Sequence, residues 1–306
     1  MVGLHTQQML LGLMRLPQLN LSEATTLLRT AYENQIIFFD TAYVYAEGKS
    51  EELLGAAIKE ARLNREKIYI QTKTGTFYDR PYRGYDHSQK HILATVDESL
   101  RRLQTDYIDV LLLHRPDALF EPEEIASAFE LLAASGKVRH FGVSNYNPMQ
   151  IELLKRYVNQ PLEFNQLQLS LTHTGMIENG LYVNTKFPGS LDHDGGVLEY
   201  SRLTNMTIQT WSPFQHSSEI AETAGLCLDK DKFPELNNKL REIAEFYGVD
   251  PSAIVVAWIM RHPAKMQVVA GTTNAKRLRK IVQGTKIHIT HQQWYELYFA
   301  AGHKIY

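Results

Sequence analysis

Four apolar runs in this chain each stop at a residue able to do chemistry. Ile36-Ile37-Phe38-Phe39 ends at Asp40, Ile68-Tyr69-Ile70 at Gln71-Thr72-Lys73, Val110-Leu111-Leu112-Leu113 at His114, and Phe141-Gly142-Val143 at Ser144-Asn145. Consecutive apolar residues, rather than alternating ones, suit strands covered on both faces, and such strands belong to parallel sheets packed under helices. Polar residues delivered to the carboxyl ends of successive parallel strands describe the rim of a (β/α)8 barrel, where active sites of that fold lie. Tyr45 follows Asp40 in the first of these loops.

The segments between the runs complete the alternation. Met9 to Met14 is predicted as the first strand, with Gly12 leaving room for a backbone or ligand to approach. A helix starts at the cap candidate Ser22 and ends near Asn34; a second starts at Ser50, with Glu51 and Glu52 matching the positive end of its dipole, and ends near Asn64. Residues 74 to 87 read as a long loop, and Ser88 opens a helix that runs through Leu103. Pro122 and Gly136 bracket a fourth helix by the Pro-in, Gly-out asymmetry, and Asn147-Pro148 opens the next. Strand six covers 162 to 167 and carries Asn165-Gln166. Strand seven runs from Thr207 to Trp211 and enters Ser212-Pro213, and strand eight takes Gln267 to Ala270. Residues 170 to 194 lack periodicity, and 215 to 233 form another loop. Helices follow at Pro234 to Tyr247, Val249 to Arg261 and Asn274 to Val282, with an additional terminal helix over Thr290 to Phe299. Eight strands alternating with helices favour a right-handed (β/α)8 TIM barrel over an open doubly wound sheet, and no Gly-x-Gly-x-x-Gly occurs.

Across 306 residues there is no composition break or linker-like run, so one domain spanning 1–306 is expected. The 32 basic and 34 acidic residues are well mixed and give a net charge of -2, which offers no electrostatic footprint for nucleic acid or an anionic membrane. No apolar stretch approaches the ~18 residues a membrane span needs. A lone cysteine, Cys227, has no internal disulfide partner and fits a reducing compartment, so a cytoplasmic protein is expected.

In a barrel, Asp40, Tyr45, Lys73 and His114 converge. A tyrosine beside an ammonium has its phenolate stabilised, which is expected to lower its pKa and make it a better proton donor to a carbonyl oxygen. Aspartate would hold the lysine, and histidine would hydrogen-bond the same oxygen. Taken singly, each admits a plainer reading: Asp40 as a turn cap, Tyr45 as packing, Lys73 as a solvated cation, His114 as a satisfied core histidine. One placement rule for all of them favours the joint reading. A metal-dependent hydrolase fares worst: the twelve histidines show no His-x-His at a strand end, and His87 with His91 has no acid partner evident on the rim.

These residues also carry a resemblance. Asp40-Thr41-Ala42 with Tyr45, Ser50-Glu51 and Leu54-Gly55 resembles the signature of the aldo-keto reductases. Thr72-Lys73, Asp109 with Leu113-His114-Arg115-Pro116-Asp117, Gly136-Lys137-Val138-Arg139 with Gly142-Val143-Ser144-Asn145, and Asn165-Gln166 resemble its later motifs in the same order. The likeness covers residues 10 to 282 and leans towards the bacterial oxidoreductase branch. It implies a nicotinamide cofactor, NADPH/NADP+, extended across the rim, with Ser144, Asn145 and Gln166 at the carboxamide and Trp211 stacked on the ring. Ser212 and Phe214 are implied at the pyrophosphate, and Thr272 and Arg277 at the adenosine 2′-phosphate. Gly12, Met14, Gly271 and Thr273 complete the implied contacts. Gly271 stands where the family often has lysine, Lys280-Ile281 where it has an acid–amide pair, and the hairpin that plugs the barrel floor should be truncated.

The resemblance therefore implies an NADPH-dependent oxidoreductase that reduces aldehyde or ketone carbonyls, with Tyr45 as proton donor and a small-molecule carbonyl compound as its partner. The alternative is a catalytically weak, nicotinamide-binding regulatory or scaffold subunit of the same fold. Phe77, Tyr78, Phe120 and Phe214 suggest an aromatic, apolar substrate pocket. Monomer and dimer are equally compatible with the sequence.

Overall fold

A computed structural model of the chain describes residues 3–79, 82–187, 190–215 and 227–305. Much of the expected pocket loop at 215 to 233 thus lies outside the described residues. In chain order the elements are β1 (Met9–Gly12), α1 (Leu21–Glu33), β2 (Phe38–Asp40), α2 (Lys49–Ala61), β3 (Tyr69–Thr74), β4 (Thr76–Asp79), β5 (Tyr82–Tyr85), α3 (Gln89–Leu103), β6 (Ile108–Leu113) and α4 (Pro122–Ala134). Next come β7 (Val138–Ser144), α5 (Pro148–Lys155), β8 (Leu162–Gln168), α6 (Gly175–Leu181), α7 (Val197–Leu203), β9 (Thr207–Trp211), α8 (Pro234–Tyr247), α9 (Pro251–Met260), β10 (Gln267–Gly271), α10 (Ala275–Ile281) and α11 (His291–Ala300). Eight of the strands close into a barrel in the order β1-β10-β9-β8-β7-β6-β3-β2. Every neighbouring pair is parallel, and β1 completes the ring by pairing with both β10 and β2.

Two separate apolar clusters follow from the period-2 geometry of the strands. Outward-facing residues such as Leu11, Phe39, Leu111 and Val143 pack under the helices. Leu10, Phe38, Val110, Leu112, Phe164 and Val269 fill the barrel interior together with Leu4. Leu4–Thr6 forms a short 3-10 turn before β1, and among the described residues no hairpin precedes it. His5 lies stacked on Phe164 at 5.0 Å and reaches Glu163 at 2.7 Å, so this turn covers the floor where a hairpin was expected to be shortened.

Local differences from the sequence reading have local causes. Helix α1 is capped by Asn20 rather than Ser22, because Asn20 and Glu23 form a reciprocal capping box. Ser50 lies inside α2, which begins after Gly48; its buried hydroxyl donates to the Leu13 carbonyl at 2.8 Å and meets the Thr41 hydroxyl at 3.0 Å. Within 74 to 87 an antiparallel hairpin, β4 with β5, replaces the expected loop. There Gly84 lets the Phe77 ring lie against its backbone, since a Cβ would sit 2.7 Å from Phe77 Cζ. The terminal helix α11 does form, and its Trp294 stacks on Trp258 of α9 at 4.9 Å. Each indole N–H donates to the other residue's backbone carbonyl at 3.1 Å.

Candidate active site

The four strand-end residues meet at the carboxyl end of the barrel. Lys73, fully buried, donates to both Asp40 oxygens at 2.7 and 2.9 Å and to the Thr41 carbonyl at 2.8 Å. Its Nζ lies 3.5 Å from the Tyr45 hydroxyl. His114 meets Tyr45 edge to face, with ring centroids 5.7 Å apart. A buried ammonium held by a buried carboxylate and aimed at a phenol is the arrangement inferred from the strand ends.

Tyr45 stands on a strained loop. Ala46 and Glu47 have φ of 50° and 56°, in the left-handed region that non-glycine residues rarely occupy, and Gly48 follows at 90°. Such strain persists only where surroundings over-determine it. Arg102 does so from α3: it donates to the Tyr43 carbonyl at 3.1 Å, pairs with the buried Glu51 at 3.3 Å, and lies over the Tyr43 ring at 4.6 Å. Glu51 in turn accepts from Thr72 at 2.6 Å, which ties the loop to β3.

Electrostatically, one expectation is reversed. Burial raises the Tyr45 phenol above its ordinary value; the Lys73 charge pulls it down, but not enough to offset burial and the nearby Asp40. Burial pulls the Lys73 ammonium down as well, yet Asp40 and Tyr45 outweigh it and the net shift is upward. His114 is pushed well below its usual value by burial and by the charges of Lys73 and Arg115, so its ring is neutral near pH 7 and able to serve as a hydrogen-bond donor.

Of the residues implied for cofactor contact, Ser144, Asn145, Gln166 and Trp211 form a connected group beside the first. Ser144 donates to the Gln166 backbone carbonyl at 2.8 Å, Asn145 donates to Ser144 Oγ at 2.8 Å and to the His114 carbonyl at 3.3 Å, and Trp211 Nε1 donates to Asn145 Oδ1 at 3.1 Å. Asn145 and Ser212 both adopt positive φ where the chain leaves its strand. Gly12 and Gly271 are register partners on β1 and β10 and leave bare backbone at the rim, with Met14 half exposed in the turn beyond. Thr272 is buried with its Oγ accepting from the Asn274 N–H at 3.1 Å, and Thr273, next in the chain, is half-buried. Arg277 is exposed on α10. Phe214 packs against the main core. Lys280 turns away to pair with Asp250 at 2.9 Å.

Arg15, Gln71 and Gln209 have no site role in the sequence analysis. Arg15 donates to the Gly271 carbonyl at 3.1 Å, adding a cation at the end of β10, next to Thr272 in the chain. Beneath Asp40 lies a set of buried glutamines: Gln71 and Gln166 each donate to Asp40 Oδ1, at 2.6 and 3.0 Å, and to Gln209 Oε1, at 2.8 and 3.1 Å. Strand alternation was the available signal, since Gln71 and Gln209 stand two residues before Lys73 and Trp211 on the same strand face.

Among the described residues, two of the aromatic side chains expected at the pocket have ring partners of their own. Phe77 packs within the hairpin and edge-on to His91, while Phe120 lies beside the buried His87. Next to Trp211 and Asn145 there is a cavity of about 420 Å³ with a mixed lining, polar at Arg115, His173 and Asp194 and apolar at Leu167, Met176 and Val197.

The Aldo/keto reductase family model matches residues 8–298. A 6-dehydroglucose reductase of Agrobacterium fabrum is 34% identical over 272 residues, covering 87% of this chain and 83% of that protein. The Bacillus subtilis oxidoreductase YcsN is 32% identical over 298 residues, covering 94% of this chain and 92% of its own length. Among solved structures, the Bombyx mori aldo-keto reductase in complex with NADP superposes with a TM-score of 0.72 at 20% identity, covering 97% of this chain and 90% of that one. A closed parallel barrel, the strand-end residues gathered at its carboxyl rim, and a family match across nearly the whole chain agree, and this chain belongs to the aldo/keto reductase family.

Proposed function

We propose that this chain reduces aldehyde or ketone carbonyls to alcohols with NADPH, and that Tyr45 gives the proton to the carbonyl oxygen. The observation that carries this reading is the Lys73 ammonium, fixed by both Asp40 oxygens and the Thr41 carbonyl with its remaining reach towards the Tyr45 hydroxyl at 3.5 Å. A bound nicotinamide supplies the reducing equivalent to the carbonyl carbon. Tyr45 stays protonated near neutral pH because burial raises it, so the proton is on hand when negative charge develops on the oxygen. Neutral His114 offers a second hydrogen bond to that oxygen and orients it, while Lys73 stabilises the negative charge left on the Tyr45 oxygen as its proton leaves.

The donor set suits the nicotinamide carboxamide. Both N–H groups of Gln166 are engaged inside the barrel, which leaves its side-chain carbonyl as an acceptor. Asn145 holds the His114 carbonyl only at 3.3 Å, a long bond that a carboxamide oxygen can replace. The test of the reading is a panel of aldehydes and ketones with NADPH, its oxidation followed by absorbance. Turnover is expected; cofactor binding without turnover of any carbonyl compound would overturn the proposal.

Trp211 is proposed as the wall on which the nicotinamide lies, an indole face being well suited to stacking. NADPH should then quench tryptophan fluorescence, and Trp211→Leu should abolish most of the quench, because Trp258 and Trp294 are buried together between α9 and α11. A quench that survives the substitution at full amplitude places the cofactor elsewhere.

NADPH is expected to be preferred to NADH, with Arg277 as the main cause. A charge-assisted guanidinium–phosphate contact contributes roughly 1.5–3 kcal/mol, or about one to two decades in affinity. Thr272 can add its hydroxyl proton, and Arg15 stands close by. Arg277→Ala should weaken NADPH while sparing NADH, measured as dissociation constants at one fixed salt concentration. Equal loss for both cofactors would remove Arg277 from this role.

A further inference from the structure

We propose that Gln71 and Gln209 are positioning residues for the proton donor, holding Asp40 in the orientation that keeps Lys73 on Tyr45. The inference rests on the reductase reading above. Barrel interiors are normally filled with branched aliphatic side chains. Here Gln71, Gln166, Gln209 and Gln267 are all buried on strands of the barrel, and their hydrogen bonds run in a single connected set. Gln166, Gln209 and Gln267 are register neighbours across β8, β9 and β10, and Gln71 is the register partner of Asp40. The contact of Gln71 with Gln209 at 2.8 Å bridges the two groups across the barrel. Gln209 then donates to Gln267 at 3.0 Å, and Gln267 donates to the Leu4 carbonyl at 2.8 Å, so the set extends from Asp40 to the turn that covers the floor.

The orientation of Gln71 is what marks the set as serving Asp40. Both of its N–H groups have acceptors, Asp40 Oδ1 and Gln209 Oε1, while its own carbonyl oxygen is buried with no partner among the described residues. Turning the amide over would satisfy nothing better and would set a carbonyl oxygen against a carboxylate. A methionine of similar volume would fill the space without leaving a polar atom orphaned. The amide is therefore explained by what its N–H groups do: two glutamine donors and the Lys73 ammonium converge on one oxygen of Asp40.

The charged and titratable groups around Tyr45 are Lys73 on β3, Asp40 on β2, and His114 and Arg115 beyond β6. Asp40 acts to raise the phenol and Lys73 to lower it. Removing the Gln71 donors leaves more of the Asp40 charge uncompensated, and the Tyr45 limb of the pH profile moves up.

The experiment compares wild type, Gln71→Met, Gln209→Met and Gln71→Glu, all saturated with NADPH. It records kcat and KM for one aldehyde, the pH profile of kcat, the cofactor dissociation constant and the melting temperature. Both methionine variants are expected to lose roughly 10-fold to 10²-fold in kcat, as small misplacements at a catalytic group do, with KM and cofactor affinity little changed and the alkaline limb shifted upward. In Gln71→Glu two adjacent carboxyl groups must share a proton, and the shared proton restores a donor only at low pH. Its kcat relative to wild type should therefore recover as pH falls, a readout that a packing role would not produce. If Gln71→Met fails to fold, the other two variants decide. Unchanged kcat and an unmoved limb in the variants, beside an active wild type, would overturn this inference alone; a wild type that binds NADPH and reduces nothing would overturn the reductase reading with it.

Discussion

Tyr45→Phe is expected to bind NADPH with nearly the wild-type dissociation constant and to reduce carbonyl compounds 10²-fold to 10⁴-fold more slowly, the usual worth of a positioned general acid, or about 3 to 5 kcal/mol of barrier. The substitution removes one oxygen and leaves the ring, so the edge-to-face contact with His114 and the strained turn through Ala46 and Glu47 keep their packing. What disappears is the one phenol that, among the described residues, lies within reach of Lys73. Near-normal kcat in this variant would show that another group protonates the substrate.

Lys73→Met carries the second large effect, on two counts. Catalytically, both influences of Lys73 that lower the Tyr45 pKa vanish while burial and Asp40 remain, so Tyr45 becomes a still weaker acid. A kcat loss of roughly 10²-fold or more is expected even at saturating cofactor, with the alkaline limb moved to higher pH. Structurally, Asp40 is left as a buried charge without its cation, a loss that costs about 3–5 kcal/mol in comparable pairs. Gln71 and Gln166 still donate to Asp40 Oδ1, which places the expected loss of stability towards the lower end. Asp40→Asn should reduce activity less, since Lys73 keeps the Thr41 carbonyl. Melting temperatures measured beside kcat separate the two counts; a Lys73→Met enzyme with an unchanged pH profile contradicts the coupling of Lys73 to Tyr45.

The barrel and the placement of Asp40, Lys73 and His114 at its carboxyl rim were readable because the same pattern encodes both. Continuous apolar runs mark strands buried on two faces, and the residue that ends each run is delivered to the rim whatever the intervening helix does. Asp40, Lys73, His114 and Ser144 follow from that alone. Tyr45 needed more, because its position depends on a turn with two left-handed non-glycine residues and on Arg102, some sixty residues away in the chain, to hold that turn.

What escaped the sequence reading depended on depth and on partners from distant strands. Burial of Tyr45 reverses the expected direction of its pKa, and no local pattern reports how deep a loop residue will lie. The glutamines of the interior look like ordinary polar interruptions of a strand until β3 and β9 are seen to face one another across the barrel. Similarly, nothing local to Phe77 reports that Gly84 of the facing hairpin strand gives its ring a place to pack.

The pH dependence of kcat for carbonyl reduction, measured side by side for wild type and Tyr45→Phe at saturating NADPH, tests the central claim most directly. A proton donor whose pKa is raised is fully protonated through neutral pH and loses its proton only above the ordinary tyrosine range. Wild type should therefore hold a level kcat through neutral pH and fall as pH rises through the Tyr45 limb, while the small residual rate of Tyr45→Phe should lack that limb. A limb of the same position and size in the phenylalanine variant would contradict the assignment of Tyr45 as the proton donor.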